Sequence, residues 1–411
     1  MASLTQMLQR SALGRVALAR PRVAGLVVLA VFIVPMLLIT VGTIGPMIDV
    51  DVYLLGGREF FRGAGLYQDG FGSTLATPLP YTYPPLWAAV VGAVAWLPWR
   101  GVAWVWTLLN VALLVWLVRR SYRAFVATAP RIEPIVVALL AGVLAFTAPV
   151  MSTFDVGQVG ILLTAAVLAD TVSAKTRLPR GVLVGSATAV KLTPGIFVVY
   201  WLFTKRWRPA ITASVTALGL WAAVAALRPD LSREYWFHVA FNPNRVTADM
   251  GIFINQSLSG MLHRVGWDGV VPWALLVCLA VAAGLLRARV AHRAGDELAA
   301  VTMIGITSLL VSPVSWIHHA VWIVPATGVL LGDGRTRRQW VAWGSVMLVF
   351  LLRLPSWAAS GTLPTNAVTS FVFENAYVWA YVALLVFLPI AGSRSREEAG
   401  RGGPRELHTR A

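Results

Sequence analysis

The stretch that decides the fold is Ala24–Ile44, AGLVVLAVFIVPMLLITVGTI, which contains no charged residue. About 20 apolar residues in a helix are enough to cross the hydrocarbon core of a bilayer, so this stretch is predicted to be a transmembrane helix. It is longer than the apolar region of a cleaved signal peptide, and we therefore expect a signal anchor that stays in the mature chain. Directly after it, Asp49-Val50-Asp51-Val52-Tyr53 begins an alternation of apolar runs and short polar islands.

The composition of the whole chain supports the same interpretation. Hydrophobic residues make up 57% of the 411 residues and charged residues only 13%, whereas about a quarter of a soluble domain is charged. The net charge of +16 does not indicate nucleic-acid binding, because the basic residues form short clusters between apolar runs. Many of the 18 tryptophans lie near the ends of those runs, as in an interfacial aromatic belt. We therefore predict an all-α polytopic membrane protein that contacts membrane lipids and binds no nucleic acid.

Hydropathy and the distribution of basic residues together predict the topology. We expect about ten crossing helices, near 22–44, 102–119, 133–148, 158–173, 209–227, 270–287, 297–312, 318–332, 338–353 and 376–391. Most Lys and Arg residues then lie on one side, which the positive-inside rule assigns to the cytoplasm together with both termini. These basic clusters can also bind anionic lipid. Most polar islands then face the exterior of the cell membrane.

Two further apolar stretches are expected not to cross. The stretch 84–98 is predicted to lie in the outer interface as a juxtamembrane helix. The stretch 181–204 is interrupted by Lys191-Leu192-Thr193-Pro194-Gly195, where proline and glycine end a helix, and is predicted to be a re-entrant pair of half-helices. If both stretches cross instead, the count rises to about twelve and several basic clusters face outward.

The remaining segments indicate a single domain. Residues 1–393 are predicted to form one membrane-embedded domain, with long outer loops at 45–101 and 228–269 that fold as short helices. Residues 394–411 are charged and rich in glycine, and are predicted to be a disordered cytoplasmic tail. The sequence has no internal repeat, which argues against a transporter built from inverted repeats.

Asp49 is the first candidate for chemistry. If its segment is helical, Asp49 and Tyr53 share a face and Asp51 points away. A single carboxylate between water and lipid suits a general base, because partial burial raises its pKa; a solvated loop acid is the alternative. The order Asp-Val-Asp resembles the metal-binding Asp-x-Asp of nucleotide-sugar enzymes, but no cluster of His or carboxylate residues accompanies it. We therefore predict neither a metal nor another cofactor.

Three basic side chains are candidates for binding an anion. Lys191 is the only charged residue between Gly181 and Thr204, and a lysine at membrane depth needs an anionic partner. A lipid phosphate is one such partner, and the alternatives are an internal carboxylate or snorkelling to the interface. His318 and His319 stand at the start of a predicted span, where they suit phosphate binding or proton exchange, with a structural role as the alternative.

Neutral polar residues form the remaining islands. Tyr83-Pro84-Pro85-Leu86 predicts an extended entry followed by the start of a helix. Gln158 borders a short outer loop together with Asp155, and near hydrocarbon it needs a partner, either a sugar hydroxyl or the backbone. Asn255-Gln256-Ser257 suits a polyhydroxyl ligand, and it also suits the capping of a helix.

Taken in order, the islands resemble the polyprenol-phosphate-mannose-dependent mannosyltransferases of glycosyltransferase family 87, which have the GT-C membrane fold. The resemblance covers most of the chain. It is carried by Asp49-x-x-Val52-Tyr53, Tyr83-Pro-Pro-Leu86, Gly157-Gln158, Lys191-Leu-Thr-Pro194, Asn255-Gln-Ser257, Ser312-Pro313 and Ser315-Trp316-x-His318-His319. Within the family the chain looks most like the actinobacterial enzymes that form α-(1→2) linkages on phosphatidylinositol mannosides.

The resemblance implies a donor, an acceptor and a role for each island. The donor would be polyprenyl-phosphate-mannose, the acceptor a mannosyl glycolipid, and the reaction an inverting transfer on the outer face of the membrane. Asp49 would be the catalytic base. The donor phosphate would be bound by Lys191, His318 and His319, and sugar or acceptor hydroxyls by Tyr53, Tyr83, Gln158, Asn255 and Gln256.

Three other functions stay open at this point. A transporter or flippase for lipid or sugar would need charged residues inside several spans, whereas only Lys191 lies well inside one. A related arabinofuranosyltransferase, or a mannosyltransferase that branches lipoglycan, would use the same types of residue. A structural scaffold would leave the clustered polar islands unexplained.

Overall fold

The computed structural model describes residues 10–43, 47–76, 78–173, 177–361 and 366–391. Within these ranges every regular element is a helix, and extended backbone pairs only in an isolated antiparallel bridge between Asn255 and Trp316. The prediction of an all-α fold is therefore confirmed. The predicted tail, 394–411, lies outside the described residues.

The helices that precede the break at Lys191 include two that lie in the long loop 45–101. They are α1 (Ala12–Ala19), α2 (Pro21–Thr43), α3 (Ile48–Arg62), α4 (Pro85–Gly92), α5 (Trp99–Ser121), α6 (Arg123–Val126), α7 (Glu133–Ala145), α8 (Ala148–Val156), α9 (Gly160–Val172) and α10 (Val182–Val190).

The helices that follow the break include two that lie in the long loop 228–269. They are α11 (Ile196–Phe203), α12 (Trp207–Leu227), α13 (Pro229–Glu234), α14 (Leu258–His263), α15 (Val270–Arg293), α16 (Glu297–Val311), α17 (Ile323–Leu331), α18 (Arg337–Leu351), α19 (Leu354–Ala359), α20 (Ala367–Glu374) and α21 (Ala376–Phe387). Turns of 3₁₀-helix span Pro130–Ile132, Thr193–Gly195, Pro243–Arg245 and Ile317–Trp322, and a π-helical turn spans Tyr235–Val239.

Helices in three groups are apolar enough to lie within a membrane. In the described part of the chain, five are long enough to cross alone: α2, α5, α12, α15, and α18 continued by α19. Two bent pairs raise that number to seven if each pair is one span: α7 with α8, and α20 with α21. Shorter apolar helices span Gly160–Val172, Thr193–Phe203, Glu297–Val311 and Ile317–Leu331. Every predicted crossing region overlaps a helix of one of these groups. The chain is therefore a multi-pass membrane protein, and the total of ten to twelve spans stays a prediction.

The two stretches that were expected not to cross are short helices. In the stretch 84–98 the helix α4 ends at Gly92, and Pro85 occupies its first turn as the Pro-Pro pair predicts. In the stretch 181–204 the helix ends at Val190, Lys191 is extended with φ −149° and ψ 130°, and Thr193–Gly195 forms a 3₁₀ turn before α11. The predicted break at Lys191 is confirmed, because Pro194 cannot continue a helix that would need its backbone N–H.

The segment before Gln158 differs from its prediction. A span over 133–148 followed by a loop was expected, but α7 ends at Ala145 and a second helix, α8, leaves it at an angle of 77°. Pro149 stands in the first turn of α8, where a missing N–H costs nothing, and so it starts a new helix. Gly157 ends α8 in the left-handed conformation with φ 77°. Asp155 therefore lies within α8, whereas Gln158 lies beyond the end of that helix.

The first long loop, 45–101, packs against helices of the apolar bundle. Val50, Tyr53, Tyr81 and Trp87 are buried in a second core cluster, which also includes side chains of α9, α10 and α12. The two long outer loops are also tied together, because the guanidinium of Arg228 donates to the carbonyls of Phe60 (2.6 Å) and Ala64 (2.8 Å). As predicted, both loops contain short helices.

Gly57 is required for the close contact between α3 and α4. A Cβ atom at this position would lie 2.7 Å from the backbone nitrogen of Gly92, and backbone cannot move aside cheaply. We expect Gly57→Ala to destabilise the protein by about 1–3 kcal/mol, measured as thermal unfolding in detergent. Gly101→Ala is the matched control, since nothing lies within 4 Å of its added Cβ. Equal unfolding temperatures for the two variants would contradict the predicted contact.

Candidate active site

Asp49 lies in the first turn of α3, just beyond the first membrane helix. Burial raises the pKa of its carboxyl from the usual 3.8 to about 6. A hydrogen bond from Gln158 and the positive charge of Lys191 act in the opposite direction without cancelling the effect of burial. The carboxylate is therefore ionised near neutral pH and still basic enough to accept a proton.

A chain of hydrogen bonds orients this carboxylate. The hydroxyl of Tyr53 donates to the hydroxyl of Tyr83 (2.9 Å), which donates to Oε1 of Gln158 (2.8 Å). Because the oxygen of the Gln158 amide accepts from Tyr83, its NH₂ group is the end that faces Asp49. The helix α3 thus brings Asp49 and Tyr53 to one network, as their spacing predicts.

Asp51 faces another part of the structure. Burial raises the pKa of its carboxyl, while the nearby indole of Trp99 and the charge of Arg58 lower it. Neither of these partners belongs to the network around Asp49. The prediction that Asp51 points away from Asp49 is confirmed.

Tyr83 is the centre of the network and is itself held on several sides. Its carbonyl accepts a hydrogen bond from the hydroxyl of Tyr67 (2.7 Å), and its ring meets the ring of Tyr53 edge-on at 5.2 Å. The carbonyl of Gly157, next to Gln158, accepts a bond from the indole of Trp106 (2.9 Å). The sequence did not identify Tyr67 or Trp106 as part of the site, because each acts through the backbone of a residue far away in the chain.

Lys191 reaches the network from the break between α10 and α11. Its Nζ lies 3.3 Å from the hydroxyl of Tyr83, 5.1 Å from the centre of that ring, and 2.8 Å from Nε2 of His319. Asp49 acts on it by charge, but among the described residues no carboxylate forms a salt bridge with it. The ammonium is therefore surrounded by neutral polar groups, which leaves it able to bind an anion.

Both ring nitrogens of His319 face hydrogen-bond donors. Nδ1 lies 3.2 Å from the backbone nitrogen of Trp316 and Nε2 lies 2.8 Å from Nζ of Lys191, so the neutral ring can accept from only one of them. The ring of His318 lies edge-on to that of His319 at 4.7 Å, and its buried Nε2 has no hydrogen-bond partner in the described part of the chain. A lysine and two imidazoles thus converge in a way that suits an anion.

A narrow cavity of about 50 Å³ begins at this cluster. Lys191, His319 and Ser315 line its polar end, while Leu163, Val167, Phe197, Leu309 and Trp322 contribute apolar walls. The cavity thus joins a small polar end to a mostly apolar lining.

Asn255 and Gln256 are both fully buried. Their printed hydrogen bonds join them to backbone groups of the described chain. Asn255 donates to the carbonyl of Met250 (2.9 Å) and accepts from the N–H of Ser315 (2.9 Å), and Gln256 donates to the carbonyls of Phe253 and Glu374 (each 2.6 Å). These bonds fix the segment that leads to His319. They do not favour direct contact with a sugar, which stays a prediction.

The described residues contain no group of three or more His, Cys, Asp or Glu side chains that could hold a metal ion. With Asp51 turned towards Trp99, Asp49 also lacks the second carboxylate of an Asp-x-Asp metal site. The chemistry that these side chains can supply is acceptance of a proton by Asp49 and binding of an anion by Lys191 and His319.

These features define a class of multi-pass membrane proteins with an acid–base centre beside an apolar cavity. The model of glycosyltransferase family 87 matches residues 81–313. A polyprenol-phosphate-mannose-dependent α-(1-2)-phosphatidylinositol mannoside mannosyltransferase of Mycobacterium tuberculosis is 33% identical over 82% of this chain and 83% of its own length. The chain belongs to glycosyltransferase family 87, and it is a glycosyltransferase.

Two relatives from Mycolicibacterium smegmatis extend this comparison. A protein with the same name as the relative from M. tuberculosis is 31% identical over 87% of each chain. A polyprenol-phosphate-mannose-dependent α-(1-2)-phosphatidylinositol pentamannoside mannosyltransferase is 33% identical over 77% of this chain and 78% of its own. No solved structure matches the chain significantly.

Replacing Asp49 by Asn should preserve or raise the stability of the fold near neutral pH. The pKa is about 6 in the folded protein against the usual 3.8, so the folded state binds this proton more tightly, and ionisation destabilises it as pH rises between these values. We expect Asp49→Asn to be more stable than the wild type by at most about 3 kcal/mol above pH 6. The difference should vanish below pH 3.8, where the carboxyl is protonated in both states.

Thermal unfolding in detergent as a function of pH measures this difference. Asp69→Asn is the control, because the side chain of Asp69 is fully exposed and should give no such change. A lower unfolding temperature for Asp49→Asn than for the wild type above pH 7 would show that the carboxylate stabilises the fold instead.

Proposed function

We propose that this protein transfers mannose from polyprenyl-phosphate-mannose to a phosphatidylinositol mannoside and forms an α-(1→2) linkage. The printed names of the relatives support this donor and acceptor. The observation that carries the proposal is the placement of one basic carboxylate, Asp49, in a single polar network with Lys191 and His319 at the mouth of an apolar cavity. A lipid-linked sugar phosphate requires each of these parts.

The donor binds with its phosphate against Lys191, His318 and His319. The ammonium supplies charge and the imidazole rings supply hydrogen bonds to the phosphate oxygens, and these interactions strengthen as charge develops on the leaving group. The prenyl chain extends away from this small, mostly apolar cavity into the bilayer. The phosphate leaves as an anion, so no carboxylic acid is needed to protonate it.

Asp49 acts as the general base. It accepts the proton of the acceptor 2-hydroxyl while that oxygen forms a bond to the anomeric carbon and the bond from that carbon to the phosphate oxygen breaks. One displacement inverts the configuration, so a β-linked donor gives an α-linked product. Gln158 and Tyr83 orient the carboxylate, and with Tyr53 they line the side on which the sugars bind. Asn255 and Gln256 support this site through the backbone of Ser315 and its neighbours.

The active site faces the exterior of the cell membrane, and both termini lie in the cytoplasm. The distribution of Lys and Arg between loops supports this orientation. The donor and acceptor then meet at the outer surface, where the two long outer loops cover the site.

Asp49→Asn keeps the shape of the side chain and removes the base. We expect mannose transfer to fall by about two to four orders of magnitude, the usual contribution of general base catalysis. Asp51→Asn is the matched control and should reduce transfer much less, because Asp51 faces Trp99. The measurement is product formation by purified protein with polyprenyl-phosphate-mannose and a panel of mannosylated lipids, followed by mass spectrometry and linkage analysis.

The outcomes of this assay separate the proposal from its alternatives. Near-normal turnover by Asp49→Asn would exclude Asp49 as the base. Equal loss in both variants with recovery on adding metal would indicate an Asp-x-Asp metal site. Lipid movement without a new glycosidic bond would indicate a flippase. A product with another sugar or another linkage would assign a different donor or acceptor to the enzyme.

Labelling of single cysteines tests the orientation. After Cys278 is replaced by Ala, Asp69→Cys introduces a thiol at a fully exposed site in the first outer loop, and Arg338→Cys introduces one at the start of α18. A membrane-impermeant maleimide should label the first variant in intact cells and the second only after the membrane is opened. The reverse pattern would invert the topology and refute an outward-facing site.

A further inference from the structure

A second polar cavity lies where the last turn of α5, the short helix α6 and the first turn of α7 meet. Its volume is about 390 Å³, which falls in the range of roughly 300–1,000 Å³ typical of small-ligand sites. We call it the arginine cavity; its lining includes Trp116, Arg119, Arg120, Arg123, Pro130 and Glu133. The proposed mannosyl transfer uses none of these residues.

The arginine cavity is far from Asp49. The helix α5 is bound to the active site through Trp106, whose indole donates to the carbonyl of Gly157. Because a helix rises about 1.5 Å per residue, Arg120 lies about 20 Å farther along the same helix. The two polar sites therefore occupy opposite ends of a membrane-spanning helix, and the arginine cavity faces the other leaflet.

The positive charge of the cavity is only partly matched. Arg119 forms a salt bridge with Glu133 at 2.7 Å. Arg120 donates to the carbonyl of Val172, but its Nε is buried without a hydrogen-bond partner in the described part of the chain. Arg123 has no ion pair or hydrogen bond from its side chain within the same described ranges. A buried donor without a partner is costly, so Nε of Arg120 suits an anionic acceptor, and the exposed Arg123 adds positive charge beside it.

The favourable interaction of cations with the C-terminal end of α5 explains part of this arrangement. It accounts for Arg119 and Arg120 in the last turn of the helix. It does not account for the open volume or for the buried Nε of Arg120 that has no hydrogen-bond partner among the described residues. A bound anionic group accounts for both.

We propose that the arginine cavity binds the phosphate-bearing headgroup of an anionic phospholipid from the leaflet opposite the active site. Planar guanidinium groups bind phosphate oxygens in pairs, and Arg120 with Arg123 supplies two of them. The surface of α5 favours a lipid over free phosphate: Val105 (68% exposed), Leu109 (40% exposed) and Trp116 lie on one face of the helix and lead into the cavity. The acyl chains lie along this apolar face.

Native mass spectrometry of the detergent-solubilised protein tests the proposal, with phosphatidylglycerol as the anionic probe and phosphatidylcholine as the zwitterionic one. We expect the wild type to retain phosphatidylglycerol. The double variant Arg120→Gln/Arg123→Gln should bind it about tenfold more weakly. Arg337→Gln/Arg338→Gln removes the same charge from exposed arginines at the start of α18 and should bind as the wild type does. Thermal unfolding confirms that each variant is folded.

Arg123→Gln alone keeps the test valid if the double variant does not fold, because Arg123 is exposed. It should weaken binding several-fold, and unchanged binding would overturn the proposal. Equal weakening by the control pair would indicate only a diffuse surface charge and would also overturn it. Displacement of the lipid by inorganic phosphate at millimolar concentration would assign the cavity to a free anion instead of a lipid. Equal retention of phosphatidylcholine would show that the arginines do not select an anionic headgroup, and it would overturn the proposal.

Discussion

The ammonium group of Lys191 is held 3.3 Å from the hydroxyl of Tyr83 and 2.8 Å from Nε2 of His319. Three distant parts of the chain meet at this point: the first outer loop, the break between α10 and α11, and the 3₁₀ turn that precedes α17. A buried charge is tolerated only with polar partners or an anion. The break that Pro194 imposes brings the Lys191 side chain to such partners.

The separation of opposite charges at the site has a chemical consequence. Asp49 and Lys191 act on each other through their charges, yet they do not form a direct salt bridge in the described structure. A direct pair would lower the pKa of the carboxyl further and weaken it as a base, and it would also occupy the ammonium. Tyr83 and Gln158 lie between the two groups and keep both available. The polar network therefore keeps apart two charged groups that would otherwise neutralise each other.

The sequence predicts this architecture where a signal is local and fails where it depends on tertiary contact. The apolar runs, the break at Lys191 and the shared face of Asp49 and Tyr53 follow from composition, proline and helical period. The 77° bend between α7 and α8 was missed, because apolar residues continue through it and only Pro149 marks it. The role of Asn255 was also open, since an amide that binds a sugar and one that binds backbone look the same in a sequence. Tyr67 and Trp106 gave no signal, because both act on carbonyls that every residue has.

The length of α5 relates the position of the active site to the thickness of the bilayer. From Trp99 to Ser121 the helix extends about 35 Å, slightly more than a hydrocarbon core of about 30 Å. Its indole groups at one end and its guanidinium groups at the other favour the two interfaces, so a thinner bilayer increases the tilt of the helix instead of shortening it. Because Trp106 is bonded to Gly157, such a tilt carries Gln158 and its neighbours with it. The depth of these side chains in the bilayer is therefore sensitive to hydrophobic mismatch. The lipid composition of the host membrane then affects how easily a lipid-linked sugar reaches them.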